Sequence, residues 1–198
     1  MKKLSIFISC LLLIILSCSF AQEATGQDNK VVKPALLVID IQNAYLDMIP
    51  AQDKEIGLYL INALIEVFRS NGFPIIRVYH YSEEYGPKQD TEEFEFPSSV
   101  KIEPGDPKIV KTYPDGFNKT ELDRILRETG SNTVFLTGLS AVGCVLATWI
   151  GAHNHDYTAF MVKDAIMSHN SGFTDQAENM FDAVSYEVVK LMVNSASN

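Results

Sequence analysis

Three reactive side chains sit at or just beyond the ends of apolar runs in this chain. Asp40 closes ALLVID (35–40), Lys111 closes KIVK (108–111), and Cys144 follows TVFLTGL (133–139) after the short turn SAVG. In an open parallel sheet, ligands bind beyond the carboxyl ends of the strands. A carboxylate, an ammonium and a thiol would then share one edge. A thiol attacks as its thiolate. In the first turn of a helix Cys144 would feel the positive helix end, and Lys111 would add a full charge nearby. Asp40 can take the thiol proton and later hand it to a departing amine. Taken singly the three mean little: an Asp there commonly caps a helix, a Lys points to water, and a lone Cys packs as a small apolar group. Together they describe a cysteine nucleophile with a carboxylate base, and no histidine is required.

The elements that must position this trio can be read from hydropathy. ALLVID is continuous rather than alternating, as expected of a strand covered on both faces. PIIRVYH (74–80), KIVK, TVFLTGL, TAFMVKD (158–164) and SYEVVKL (185–191) read as further strands. Between them, residues 53–70 place Ile56, Leu60, Leu64, Val67 and Phe68 at helical spacing, with Gly72 as the terminating residue. Asn118 with Glu121 resembles a capping box opening TELDRILRE (120–128). VGCVLATWIGAH (142–153) and residues 175–183 complete the helices. Strand and helix alternate throughout. The expectation is an α/β fold: a three-layer α/β/α arrangement around a doubly wound, largely parallel six-stranded sheet. Residues 81–107 break the rhythm, with eight acids against Lys88 and Lys101. A connection this long is either a solvated loop or a specific lid.

Of 198 residues 46% are hydrophobic and 21% charged, with a net charge of −9. That composition suits one globular domain and excludes disordered and collagen-like classes. Excess acid argues against a surface that neutralises phosphates, so no nucleic acid partner is expected. Residues 1–21 open with Lys2 and Lys3, run through an apolar stretch and close on small residues, the pattern of a secretory signal peptide rather than a membrane span. Ile15-Leu16-Ser17-Cys18 also fits a lipoprotein box, which would leave Cys18 acylated. Removing 1–21 deletes two bases and no acid, taking the charge from −9 to −11, and leaves Cys144 the one remaining thiol of three. Residues 22–33 read as a flexible leader and 34–194 as the domain, in a product expected to be periplasmic or extracellular.

Three segments, ALLVIDIQNAY (35–45), IVKTYPDGFNKTELDRIL (109–126) and TVFLTGLSAVGCVLATWIGAHNHDYTAFMVKDAIMS (133–168), in this order and separation, resemble the isochorismatase-like cysteine hydrolases. That family includes nicotinamidases, carbamoylsarcosine amidohydrolases and ureidoacrylate amidohydrolases. The resemblance makes Asp40 the general base, Lys111 its charge partner and Cys144 the nucleophile. It implies a cis Leu139–Ser140 peptide, with the backbone N–H groups of Ser140 and Cys144 as the oxyanion hole. Tyr45 takes the family's aromatic position after the first strand and would line the pocket. Phe117 is a second candidate wall, equally explained by packing under the following helix. The implied reaction is hydrolysis of a C–N bond in a small amide or ureido compound through a thioester, with no cofactor, in a homo-oligomer.

The chain departs from the metal-binding nicotinamidases. Where those carry Asp-x-His after the second strand, this sequence reads His80-Tyr81-Ser82. His80 is therefore expected as a hydrogen-bonded side chain near the pocket, and no metal is expected. His169, after the fifth strand, could approach the pocket. Ser140 does not sit in a G-x-S-x-G elbow, and no G-x-G-x-x-G follows the first strand. Two alternatives stay open: an ether hydrolase of the isochorismate type, and an inactive binding protein of the same fold.

Overall fold

The first strand, β1 (Pro34–Ile39), is buried along its whole length. Its residues alternate between two cores, Leu36 and Val38 on one face, Leu37 and Ile39 on the other. Such a strand must be central, because an apolar run with no polar side cannot meet water on either face. The computed structural model describes residues 31–197. The expected signal segment 1–21, with Cys10 and Cys18, and nearly all of the 22–33 leader lie outside the described residues.

Around β1 the strands β2 (Ile75–His80), β3 (Lys108–Lys111), β4 (Thr133–Leu139) and β5 (Thr158–Met167) form a parallel sheet in the order β3-β2-β1-β4-β5. Besides the short α1 (Asn43–Leu46), helices cover both faces. On one, α2 (Ala51–Ser70) buries Ile61, Leu64 and Phe68, and α6 (Tyr186–Ala196) buries Val189 and Val193. On the other, α3 (Leu122–Glu128) buries Leu122 and Leu126, and α4 (Cys144–Asn154) buries Val145 and Ala152. The remaining helix, α5 (Ser171–Met180), packs along β5. Each large side chain so buried contributes about 1.5–3 kcal/mol. This is the expected α/β architecture with one strand fewer.

The difference lies at the C-terminus. SYEVVKL, expected as a sixth strand, is the start of α6. Val188 and Val189 favour extended chain locally, but Val189 and Val193 stand four residues apart and share one helical face on the core. Only a bridge from Val184 to Val162 keeps any strand character there. β5 runs on to Met167 through a register shift, where Asp164 takes φ +59°. The start of α3 also differs: the Asn118–Glu121 box does not form, and Thr120 Oγ1 accepts from the Leu122 N–H instead. At the end of α2, Gly72 (φ +73°) closes the turn as expected. Its N–H donates to the Arg69 carbonyl and that of Phe73 to the Phe68 carbonyl.

Residues 81–107 carry no regular element, yet they are not a freely solvated loop. Phe94 and Phe96 are buried and stack on Tyr79, at 5.2 and 4.2 Å between ring centres. The Asn43 and Ala44 amides donate to the carbonyls of Glu95 and Glu93. Seven of the eight acids are exposed, while Asp106 turns inward to pair with Arg69 at 2.7 Å, and two interleaved aromatics hold the segment to the sheet.

Candidate active site

The strand order places β1 beside β4, while the chain between them travels out through β2 and β3 and back. Doubly wound sheets open a crevice at such a reversal, beyond the strand ends. Asp40 directly follows β1, with φ +52°, a left-handed conformation that Asp tolerates at a modest energetic penalty. Its amide donates to the Val78 carbonyl at 2.8 Å. β4 reaches the same level through Gly138 (φ +108°), where a Cβ would fall 2.0 Å from the Ile39 carbonyl oxygen. Only glycine permits that approach. The chain then turns through Ser140–Gly143 and enters α4 with Cys144 as its first residue. Lys111 ends β3, in register with His80 at the end of β2.

Three of the expected residues therefore meet. Lys111 and Asp40 side chains are 0% and 4% exposed, and Lys111 Nζ donates to Asp40 Oδ2 at 2.8 Å. The same ammonium lies 3.4 Å from His80 Nδ1. Gln42, fully buried, clamps the His80 backbone: its Oε1 accepts from the His80 N–H at 2.7 Å, and its Nε2 donates to the His80 carbonyl at 3.0 Å. Asp40 Oδ1 is buried without a hydrogen-bond partner. A carboxylate oxygen of Asp40, a ring nitrogen of His80 and Cys144 Sγ all lie within 4.8 Å of one another. Asp40, His80, Ser140, Cys144 and Tyr45 border a cavity of about 370 Å³.

Burial sets the protonation states here. It pushes the Cys144 thiol up to about 12, and the neighbouring Asp40 carboxylate adds to the shift against the opposing pull of Lys111. The thiol is therefore protonated at rest, not the standing thiolate the helix end and Lys111 alone would give. Burial also raises Asp40, while Lys111 and Cys144 pull it back down. His80 is lowered to about 4, first by burial and then by Lys111, so its ring is neutral at physiological pH. Tyr45 is raised to about 12 by burial, Asp40 and Cys144 and remains a phenol. A neutral thiol beside an ammonium-held carboxylate is a nucleophile and base awaiting an electrophile.

Two expectations differ from the structure. No peptide bond among the described residues is cis, so Leu139–Ser140 is trans, and the left-handed Gly138 does the redirecting. Around the turn the Gly143 and Val145 amides donate to the Ser140 carbonyl, and the Ala141 amide to the Met167 carbonyl. The Ser140 and Cys144 amides take no part in that set. Phe117 does not reach the cavity. It is buried in the second core, stacked on His155 at 4.9 Å and beside Tyr157 at 5.7 Å. Phe117 is a packing residue of that core and not a wall of the cavity.

Sequence reasoning missed Met48, Ile49 and Tyr85, which also line the cavity, whereas His169 reaches it. The first two follow α1 and the third lies in the irregular 81–107 segment, where no periodicity marks an inward face. His80 obeys the strand-end rule that located Asp40 and Lys111. The Asp40–His80–Cys144 spacing could also grip a divalent metal. The Lys111 ammonium already supplies the positive charge there, and a second cation would meet it across a buried space.

Residues 34–191 match the isochorismatase domain model. The chain belongs to the isochorismatase family. By that membership it is a hydrolase, and amidohydrolases are among its relatives. An uncharacterized isochorismatase family protein of Bacillus subtilis is 27% identical over 164 residues, covering 80% of this chain and 86% of that one. A ureidoacrylate amidohydrolase of Variovorax paradoxus is 34% identical over 73 residues, 37% of this chain and 29% of its own length. Among solved structures, the N-carbamoylsarcosine amidase of Thermoplasma acidophilum superposes with a TM-score of 0.68 at 27% identity, covering 78% of this chain and 95% of that one.

Proposed function

We propose that this isochorismatase-family hydrolase cleaves a C–N bond of a small amide or ureido compound, with Cys144 as nucleophile and Asp40 as the proton carrier. The observation that carries the reading is the split duty of one buried carboxylate. Lys111 holds Asp40 Oδ2, while Oδ1 has no partner beside the sulfur-bearing cavity. As the carbonyl carbon approaches Sγ, Asp40 takes the thiol proton and the S–C bond forms. The tetrahedral oxyanion receives the Ser140 and Cys144 N–H groups. The C–N bond then breaks, and the amine leaves with the proton from Asp40. A water attacks the thioester, again giving its proton to Asp40. Acid and free thiol are regenerated as that proton returns to sulfur. The Lys111 charge keeps Asp40 ionised between steps.

The route uses no metal or cofactor. Among the alternatives, ether hydrolysis would leave the thiol without a role, and an inactive binder would have no use for a buried carboxylate poised against it. We also propose that residues 1–21 export the protein, on the strength of their charged start, apolar run and small-residue end. Ammonia release is the test, screened across primary amides, ureido acids and nicotinamide with Cys144→Ala as blank. Cys144-dependent ammonia from at least one class is expected. Ammonia release that is undiminished in the variant would overturn the reading.

A further inference from the structure

The walls of the cavity carry information about the substrate that the catalytic trio does not. Beyond the reacting groups they are Tyr45, Met48, Ile49, Tyr85 and Leu139, aromatic and aliphatic side chains. Among the described residues, no lysine or arginine lines the cavity. Lys111 is shut behind Asp40 and already committed to it. Lys54, across α1, pairs with Asp47 and belongs to a different depression. The two imidazoles, His80 and His169, offer hydrogen bonds. His80 accepts or shares the Lys111 proton through Nδ1 and is held neutral by its surroundings. Met48 and Tyr85 are largely exposed, so the cavity opens to solvent on their side.

A carboxylate entering this space would give up part of its water for apolar walls and meet no guanidinium or ammonium. An unpaired charge placed in such surroundings is strongly disfavoured. An uncharged apolar body gains by leaving water against the same walls. Resting on the amide-hydrolase reading above, we propose that the substrate is an uncharged primary amide or ureide with an apolar body, and that amides bearing a carboxylate are rejected. Hydrolysis then converts R–CO–NH2 and water into R–COOH and ammonia. The product acid acquires the very charge the cavity disfavours, which promotes its release.

A matched pair of amides tests this. Hexanamide and adipamic acid have the same chain length and differ by a terminal carboxyl, ionised in the assay. Ammonia release by the full chain is measured at about pH 8. The expected kcat/KM ratio favours hexanamide by ~10-fold or more, because the carboxylate loses part of its water and gains no charged partner. Equilibrium binding of the two to Cys144→Ala should show the same preference without turnover. Met48→Arg should shrink the ratio by ~10-fold or more by offering the carboxylate a partner. Equal or better use of adipamic acid, abolished by Cys144→Ala, would overturn the proposal and leave the amide-hydrolase reading standing. Turnover of neither amide, with no preference in binding, would overturn the proposal too. Cys144-independent turnover would strike the amide-hydrolase reading itself.

Discussion

Two sets of ion pairs in this protein have nearly the same geometry and opposite consequences. On α3, Arg124 bridges Glu121 at 2.6 Å and Glu128 at 2.7 Å, and Arg127 meets Asp123 at 2.9 Å. At the sheet edge Lys111 meets Asp40 at 2.8 Å. The first set stands in water, with Arg124 and Glu128 side chains 54% and 62% exposed, so solvent and salt screen it to little net worth. The second is dry. Removing both charges from water is expensive, and their attraction barely repays it. A pair of that kind is poor evidence for stability and good evidence for chemistry. Here it holds a carboxylate, raised by burial, ionised beside a thiol that burial keeps protonated.

Breaking the contrast at its dry end should give the largest effects. Lys111→Met strands the Asp40 charge and is expected to destabilise the fold by about 3–5 kcal/mol, read as a lower denaturant midpoint, with loss of turnover. Asp40→Asn removes the proton carrier and strands the Lys111 ammonium instead, so kcat should fall about 10²–10⁴-fold with a loss of stability comparable to that of Lys111→Met. Pairing the two substitutions should recover part of the stability lost in Lys111→Met, because no buried charge is left alone, yet no activity. A double variant as unstable as Lys111→Met alone would mean that packing, not charge, is at issue.

Acid sharpens the comparison further. Asp40 is raised, so kcat/KM should climb with pH through a midpoint above the ordinary carboxylate range. His80 acts on stability rather than on turnover. Its folded value of about 4 lies below the unfolded imidazole value of about 6.5, so the unfolded chain binds more protons between them. Stability linked to His80 is therefore complete above that unfolded value and is lost as pH falls toward 4. His80→Gln should flatten that slope in pH-dependent unfolding. Unchanged slopes would show that burial and Lys111 together do not hold His80 below its ordinary value. At the wet end Arg124→Ala should shift unfolding by about 0.5 kcal/mol or less, and added salt should erase even that.

Much of this site was legible because chemistry at a parallel sheet edge follows a short rule. Asp40, His80 and Lys111 each sit at a strand end, and Cys144 opens the helix after the next strand. Those positions follow from apolar runs alone. The walls were not legible in the same way. Met48, Ile49 and Tyr85 come from segments whose direction is set by tertiary contacts, such as the stacking of Phe94 and Phe96 on Tyr79. Phe117 was ambiguous for a physical reason: an aromatic just before a helix can face a pocket or a core, and only the neighbouring His155 and Tyr157 rings decide it. The last helix reads as a strand in sequence because Val188 and Val189 together favour extended chain. The four-residue step from Val189 to Val193 becomes visible only beyond the expected strand end at Leu191.

The thioester is the most direct test of the whole account. Enzyme turning over a slow amide is quenched in acid, and its intact mass and the Cys144 peptide are measured. A single acyl increment on Cys144 is predicted, formed in step with the first equivalent of ammonia. Cys144→Ala should show neither the increment nor more than ~1% of the turnover. Sustained hydrolysis by Cys144→Ala, or an acyl group mapped to any other side chain, would contradict it.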